Sequence, residues 1–166
     1  MENLLDLFAP WAGFVEHHHA LSATLVGLHL MALVIGGGVG IAADWNVLRV
    51  RPGDMTGRLT RREDIAAVHR VVLAGVTVLF ATGVLITASE LDEFLETPVF
   101  WIKLVLVALL VVNGAMMTRR EKLLPGRTEA AYTGDGEWGR VRLHAIFSLV
   151  LWIATAVAGL VLSYVA

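Results

Sequence analysis

Four apolar stretches, at about 21–43, 65–88, 98–118 and 143–165, decide what this chain can become. Each runs for roughly 20 residues, enough for a helix to cross a hydrocarbon layer of about 30 Å. An open strand in lipid leaves backbone groups unpaired, so the stretches are expected as helices. Hydrophobic residues make up 57% of the 166 residues and charged residues only 17%. A soluble core of this size cannot hide that much apolar surface. The expected fold is all-α and integral to a membrane: an up-and-down bundle of four transmembrane helices. Residues 21–166 form the membrane domain and residues 1–20 an interfacial segment.

The connecting segments set the expected orientation. The segment 44–64 holds Arg49, Arg51, Arg58, Arg61 and Arg62, and 119–142 holds Arg119, Arg120, Lys122, Arg127, Arg140 and Arg142. By contrast, 89–97 holds Glu90, Asp92, Glu93 and Glu96 and no basic residue. The positive-inside rule places both basic loops in the cytoplasm and both termini outside. Residues 2–15 read as an amphipathic segment at the headgroup layer, with any helix limited by Pro10. Glycines and Pro125 across 125–139 (Gly126, Gly134, Gly136, Gly139) predict a flexible loop. Pro98 suits the first turn of the third helix. The first twenty residues lack a basic n-region, so no cleavable leader is expected. A net charge of −2 argues against nucleic acid as a partner. The absence of cysteine excludes disulfides, thiolate zinc sites and cysteine-held iron–sulfur clusters.

Ionisable groups inside apolar helices are costly and default to functional candidates. His29, His69, Lys103 and His144 are the four here. By depth they fall on two levels, His29 with Lys103 outside and His69 with His144 inside. In an up-and-down bundle the first and third helices are diagonal, as are the second and fourth. Each level therefore spans one diagonal and meets in the bundle interior. Neutral imidazoles facing each other suit the axial positions of haem iron. Arg70 and Arg142 flank the inner pair, as propionates require, with Arg62 and Arg140 close by. Lys103 could ligate when deprotonated or bind a propionate. The run Gly36-Gly37-Gly38-Val39-Gly40 admits a flat cofactor or a neighbouring helix. His17-His18-His19, just before the first helix, could hold copper or zinc.

Plainer readings stand beside these. A histidine near the end of a span also serves as an interfacial residue. Lys103 could snorkel to the surface, and the glycine run could serve packing alone. Trp11, Trp45, Trp101, Trp138 and Trp152 read mostly as interface markers.

The stretches GLHLMALVIGGGVGIAADWNVL, AAVHRVVLAGVTVLFATGVLITAS and PVFWIKLVLVALLVVNGAMMTRR carry a resemblance. They resemble small bacterial four-helix membrane proteins, through a helix-one histidine, Thr82-Gly83, and Phe100-Trp101 with Lys103-Leu104 opening the third helix. Asp44 and Asn113 belong to the same pattern. The group includes uncharacterised domain families, CopD-like copper proteins and HemJ-type protoporphyrinogen oxidases. It implies a bacterial inner membrane. The HemJ-type relation implies haem binding through His29 and Lys103; the CopD-like relation implies copper handling by His17 to His19. The leading expectation is one or two b-type haems serving electron transfer or membrane redox chemistry. A quinone or a redox protein is the expected partner, and Gly36 and Gly40 could pair two copies of the chain. Copper handling, porphyrinogen oxidation and a cofactor-free accessory subunit are the alternatives.

Overall fold

The computed structural model describes residues 2–122 and 135–165. They form six helices in chain order: α1 (Glu2–His17), α2 (His19–Leu48), α3 (Met55–Ser89), α4 (Leu91–Glu96), α5 (Pro98–Lys122) and α6 (Asp135–Val165). No strand occurs among the described residues. The four helices α2, α3, α5 and α6 contain stretches long and apolar enough to cross a membrane. Their outward faces carry large exposed apolar side chains such as Phe80, Val105 and Leu160, a surface of the kind that marks contact with a membrane or a partner.

The boundaries depart from expectation for local reasons. α3 starts ten residues early, at Met55 rather than 65. Gly53 closes the preceding turn at φ +80°, a conformation glycine adopts without steric cost. The Asp54 carboxylate then accepts the Gly57 N–H at 2.8 Å and caps the new helix. An Arg61–Asp64 pair one turn later supports this polar extension. α6 likewise begins at Asp135, so Gly136 and Gly139, expected in a loop, are helical. Pro125, Gly126, Arg127 and Gly134 of that expected loop lie outside the described residues. Pro10 does not end α1, which runs through it to His17. The acidic connection holds the short helix α4.

Packing follows an antiparallel order in which α2 touches both α3 and α6, and α6 touches α5. The pairs α2/α5 and α3/α6 have no extensive contact among the described residues, which makes them the two diagonals. α3 and α5 also lack extensive contact, so the bundle is loosest along that side.

The glycine run builds the α2 contacts. A Cβ on Gly36 would stand 2.9 Å from the Gly75 Cα of α3, so these two backbones touch directly. A Cβ on Gly37 or Gly40 would stand 3.1 or 3.0 Å from the Trp152 indole of α6. Leu33–Gly37 forms a π turn, which rotates the following half of α2 toward α6. Trp152 is therefore a core residue at 3% exposure, not an interface marker. Trp138 is also buried, stacked beneath the Arg58 guanidinium and packed with Val47, Val50 and Ala145. Trp45 and Trp101 are exposed as expected. At the acidic end, α1 is tied to α3 by the Trp11 indole N–H donating to the Leu85 carbonyl at 3.0 Å.

Candidate functional site

The contacts between helices fix which residues share a level. His29 meets Thr82, Gly36 meets Gly75, and Gly40 meets Val72 across α2 and α3. Lys103 of α5 lies against Gly159 of α6, and Asn113 meets His144. One layer toward the acidic end thus draws on all four long helices: His29, Thr82 with Gly83, Lys103 and Gly159. A second layer toward the basic end holds Asp44, Asn113, His144 and Ser148. The α2/α3 register brings His69 to this level, one turn beyond Val72. At 1.5 Å per residue, Lys103 and Asn113 stand about 15 Å apart along α5, which separates the layers.

In the acidic-end layer, His29 Nδ1 lies 2.9 Å from the Thr82 hydroxyl oxygen. That hydroxyl spends its one proton on the Val78 carbonyl at 2.7 Å. The oxygen therefore accepts from His29, which places the imidazole proton on Nδ1 and the lone pair on Nε2. Thr82 is buried at 6% exposure. The ring lies over Gly83, where a Cβ would stand 3.4 Å from His29 Cε1. Lys103 is within Coulombic range of His29. Its ammonium occupies a second glycine notch, 3.5 Å from where a Cβ on Gly159 would be. Lys103 has no ion pair among the described residues.

In the basic-end layer, His144 Nδ1 lies 2.7 Å from Asn113 Oδ1. The Asn113 amide nitrogen donates to the His144 carbonyl at 3.3 Å. A carbonyl can only accept, so the amide orientation is fixed and Oδ1 must accept from the ring. His144, like His29, holds its proton on Nδ1 and its lone pair on Nε2. Asp44 on α2 faces the Ser148 hydroxyl of α6, and its Oδ2 is buried with no hydrogen-bond partner among the described residues.

The remaining candidates are placed as follows. His69 is half-buried on α3. Arg70 is exposed, and Arg142 donates to the Val50 carbonyl at 3.4 Å, which ties α6 to the end of α2. Arg140 pairs with Glu137. His17 and His18 direct Nδ1 at the carbonyls of Gly13 and Phe14, each at 2.7 Å, and His18 stacks on Phe14. His19 is exposed. Among the described residues no three His, Asp or Glu side chains converge on a metal position.

Thr82, Asn113 and Asp44 entered the sequence reading only through the family pattern, not as partners of the histidines. The signal was partly available: Asn113 is a polar residue well inside an apolar run and Asp44 one at the end of another, each at the depth of a histidine on a neighbouring helix, whereas Thr82 is one of three threonines in its run, with Thr77 and Thr87. No family model, curated protein or solved structure matches this chain.

Proposed function

We propose that this chain is a multi-pass membrane protein that binds b-type haem within its bundle and serves electron transfer or a redox reaction in the membrane. The observation that carries the reading is shared by His29 and His144. Each holds its Nδ1 proton against a buried side-chain oxygen of the adjacent helix, which leaves Nε2 as a lone-pair donor. Metal-ligating histidines are oriented by such a bond on their second nitrogen.

The donor set fits haem: neutral imidazoles in a low-dielectric interior, a glycine notch under one ring, and cations on the chain for carboxylates. His144 serves the basic-end centre, with His69 of the diagonal helix as its partner and Arg70 and Arg142 nearest for propionates. His29 serves the acidic-end centre, with Lys103 as second ligand or propionate partner. Bound haem supplies reversible one-electron chemistry. The chain orients the imidazoles through Thr82 and Asn113 and keeps bulk water away with the apolar layers. Two centres about 15 Å apart along the bundle give an electron route between the faces, with quinone or a redox protein as partner. The basic end faces the cytoplasm, and the termini face outward, in a bacterial inner membrane.

The test is the visible spectrum of protein purified in mild detergent, oxidised and reduced. A Soret band with a sharp reduced α-band is expected; a preparation colourless even after haem addition removes the reading. A second reading rests on the proximity of His29 and Lys103, the pair that matches the HemJ-type pattern: oxidation of a porphyrinogen at the acidic-end layer. Protoporphyrinogen turnover by the purified protein, lost in Lys103→Met, tests it.

A further inference from the structure

Two buried polar atoms along the seam between α2 and α6, Asp44 Oδ2 and Thr155 Oγ1, lack a hydrogen-bond partner among the described residues. At the basic end is Asp44 Oδ2, buried beside Ser148. Between the two lies the Trp152 indole nitrogen, 3.0 Å from where a Cβ on Gly40 would stand, one turn before Asp44 on α2. Last is the Thr155 hydroxyl, on a side chain 8% exposed.

Thr155 is the telling case. A helical threonine in an apolar setting ordinarily satisfies its hydroxyl on the carbonyl four residues earlier. Thr24, Thr60, Thr77 and Thr82 all do so in this chain. Thr155 does not. Buried polar atoms left unpaired cost about 1–3 kcal/mol each and usually mark a missing water or ion. Here they lie in file. Ser148 and Thr155 share one face of α6 about 10 Å apart, and Trp152 falls between them. One turn past Thr155 is Gly159, where Lys103 lies.

We infer that this seam holds a file of water that carries protons between the basic end of the bundle and the Lys103–His29 layer, with the Asp44 carboxylate as its fixed charge. Asp44 offers a lone pair, Trp152 a donor and Thr155 both, which is the alternation a water chain needs. Carboxylate and imidazole chains inside membrane helices are the usual parts of proton relays. The other titratable groups at the level of Asp44 are His69 on α3 and His144 on α6. Arg49 lies past the end of its own helix, and Arg58 is committed to Asp135.

The chain has no cysteine, which permits a clean test. Ser148→Cys, Thr155→Cys and, as a lipid-facing control, Leu160→Cys are made singly. Each is exposed to silver ion, a cation about the size of water, and the thiols still free are counted by alkylation after denaturation. The seam positions should be protected at least tenfold faster than the control, with Ser148→Cys the faster of the two. Asp44→Asn should slow silver at Ser148→Cys at least fivefold. Protection no faster than at Leu160→Cys, or a rate indifferent to Asp44→Asn, overturns the inference.

A second measurement needs no cysteine. The indole proton of Trp152, identified by its loss in Trp152→Phe, should exchange with deuterated solvent faster than that of Trp11, which is bonded to Leu85. Slower exchange at Trp152 means a dry seam and also overturns it. Neither readout involves haem, so the haem reading stands or falls separately.

Discussion

The His144 ring donates from Nδ1 to Asn113 Oδ1 at 2.7 Å while the Asn113 amide donates back to the His144 carbonyl. This two-way bond joins α5 to α6 and fixes both the ring's tautomer and its direction. Replacing Asn113 by Leu leaves a ring N–H without its acceptor in the interior. The expected cost is about 1–3 kcal/mol of stability, read as a shift in the denaturation midpoint in detergent. Haem affinity at this centre should fall by about 10–100-fold, while Asn113→Asp, which keeps the acceptor, should retain most of it.

The corresponding bond in the other layer predicts a graded series. Thr82→Ser keeps both the back-bond to Val78 and the lone pair facing His29 and should behave as wild type. Thr82→Val keeps the shape and removes the acceptor, so the His29 centre should lose about 10–100-fold in affinity with the His144 centre unchanged. Spectral titration of haem into both variants separates these outcomes.

Gly36 and Gly75 are placed so that neither tolerates a methyl group, since a Cβ on one falls 2.9 or 2.7 Å from the Cα of the other. Gly36→Ala or Gly75→Ala should cost about 1–3 kcal/mol by forcing the helices apart. Gly114→Ala and Gly13→Ala, where a Cβ meets nothing within 4 Å, should be neutral or slightly stabilising. Thermal unfolding of the four variants checks the contrast.

The four long helices were readable from the spacing and length of the apolar runs, because stretches of that length and apolarity are expected as helices long enough to span a bilayer. The helix ends were not. Apolar content marks the part of α3 that is long and apolar enough to cross a membrane, but its polar first turns are fixed by one capping bond from Asp54 and one turn glycine. Depth along each run was the whole basis for expecting His29 with Lys103 and His69 with His144. What sequence could not supply was rotation about each helix axis. Trp152 was legible as an aromatic inside the fourth apolar run, but only packing shows it lying against Gly37 and Gly40. Asn113 and Thr82 became the partners of His144 and His29 through contacts between helices whose facing sides no periodicity specifies.

At the acidic end, burial and the nearby Glu93 carboxylate push the Glu90 carboxyl above its ordinary 4.5. A carboxyl that holds its proton more tightly when folded favours the fold below its ordinary range. It loses that contribution as pH rises through the raised value. Relative to Glu90→Gln, wild-type protein should therefore lose stability from pH 4.5 upward and then level off. Unfolding midpoints of the two proteins across that range check it, and a wild type that gains on the variant contradicts the assignment.

Haem binding as proposed requires His29 and His144 to present Nε2 to iron. The most direct measurement is the reduced-minus-oxidised visible spectrum of wild type, His29→Ala and His144→Ala, purified in parallel with haem supplied. A b-type α-band is expected in wild type, with each variant losing its own centre and the double variant losing all haem absorbance. A haem spectrum that survives both substitutions intact, or a wild type that takes up no haem, contradicts it.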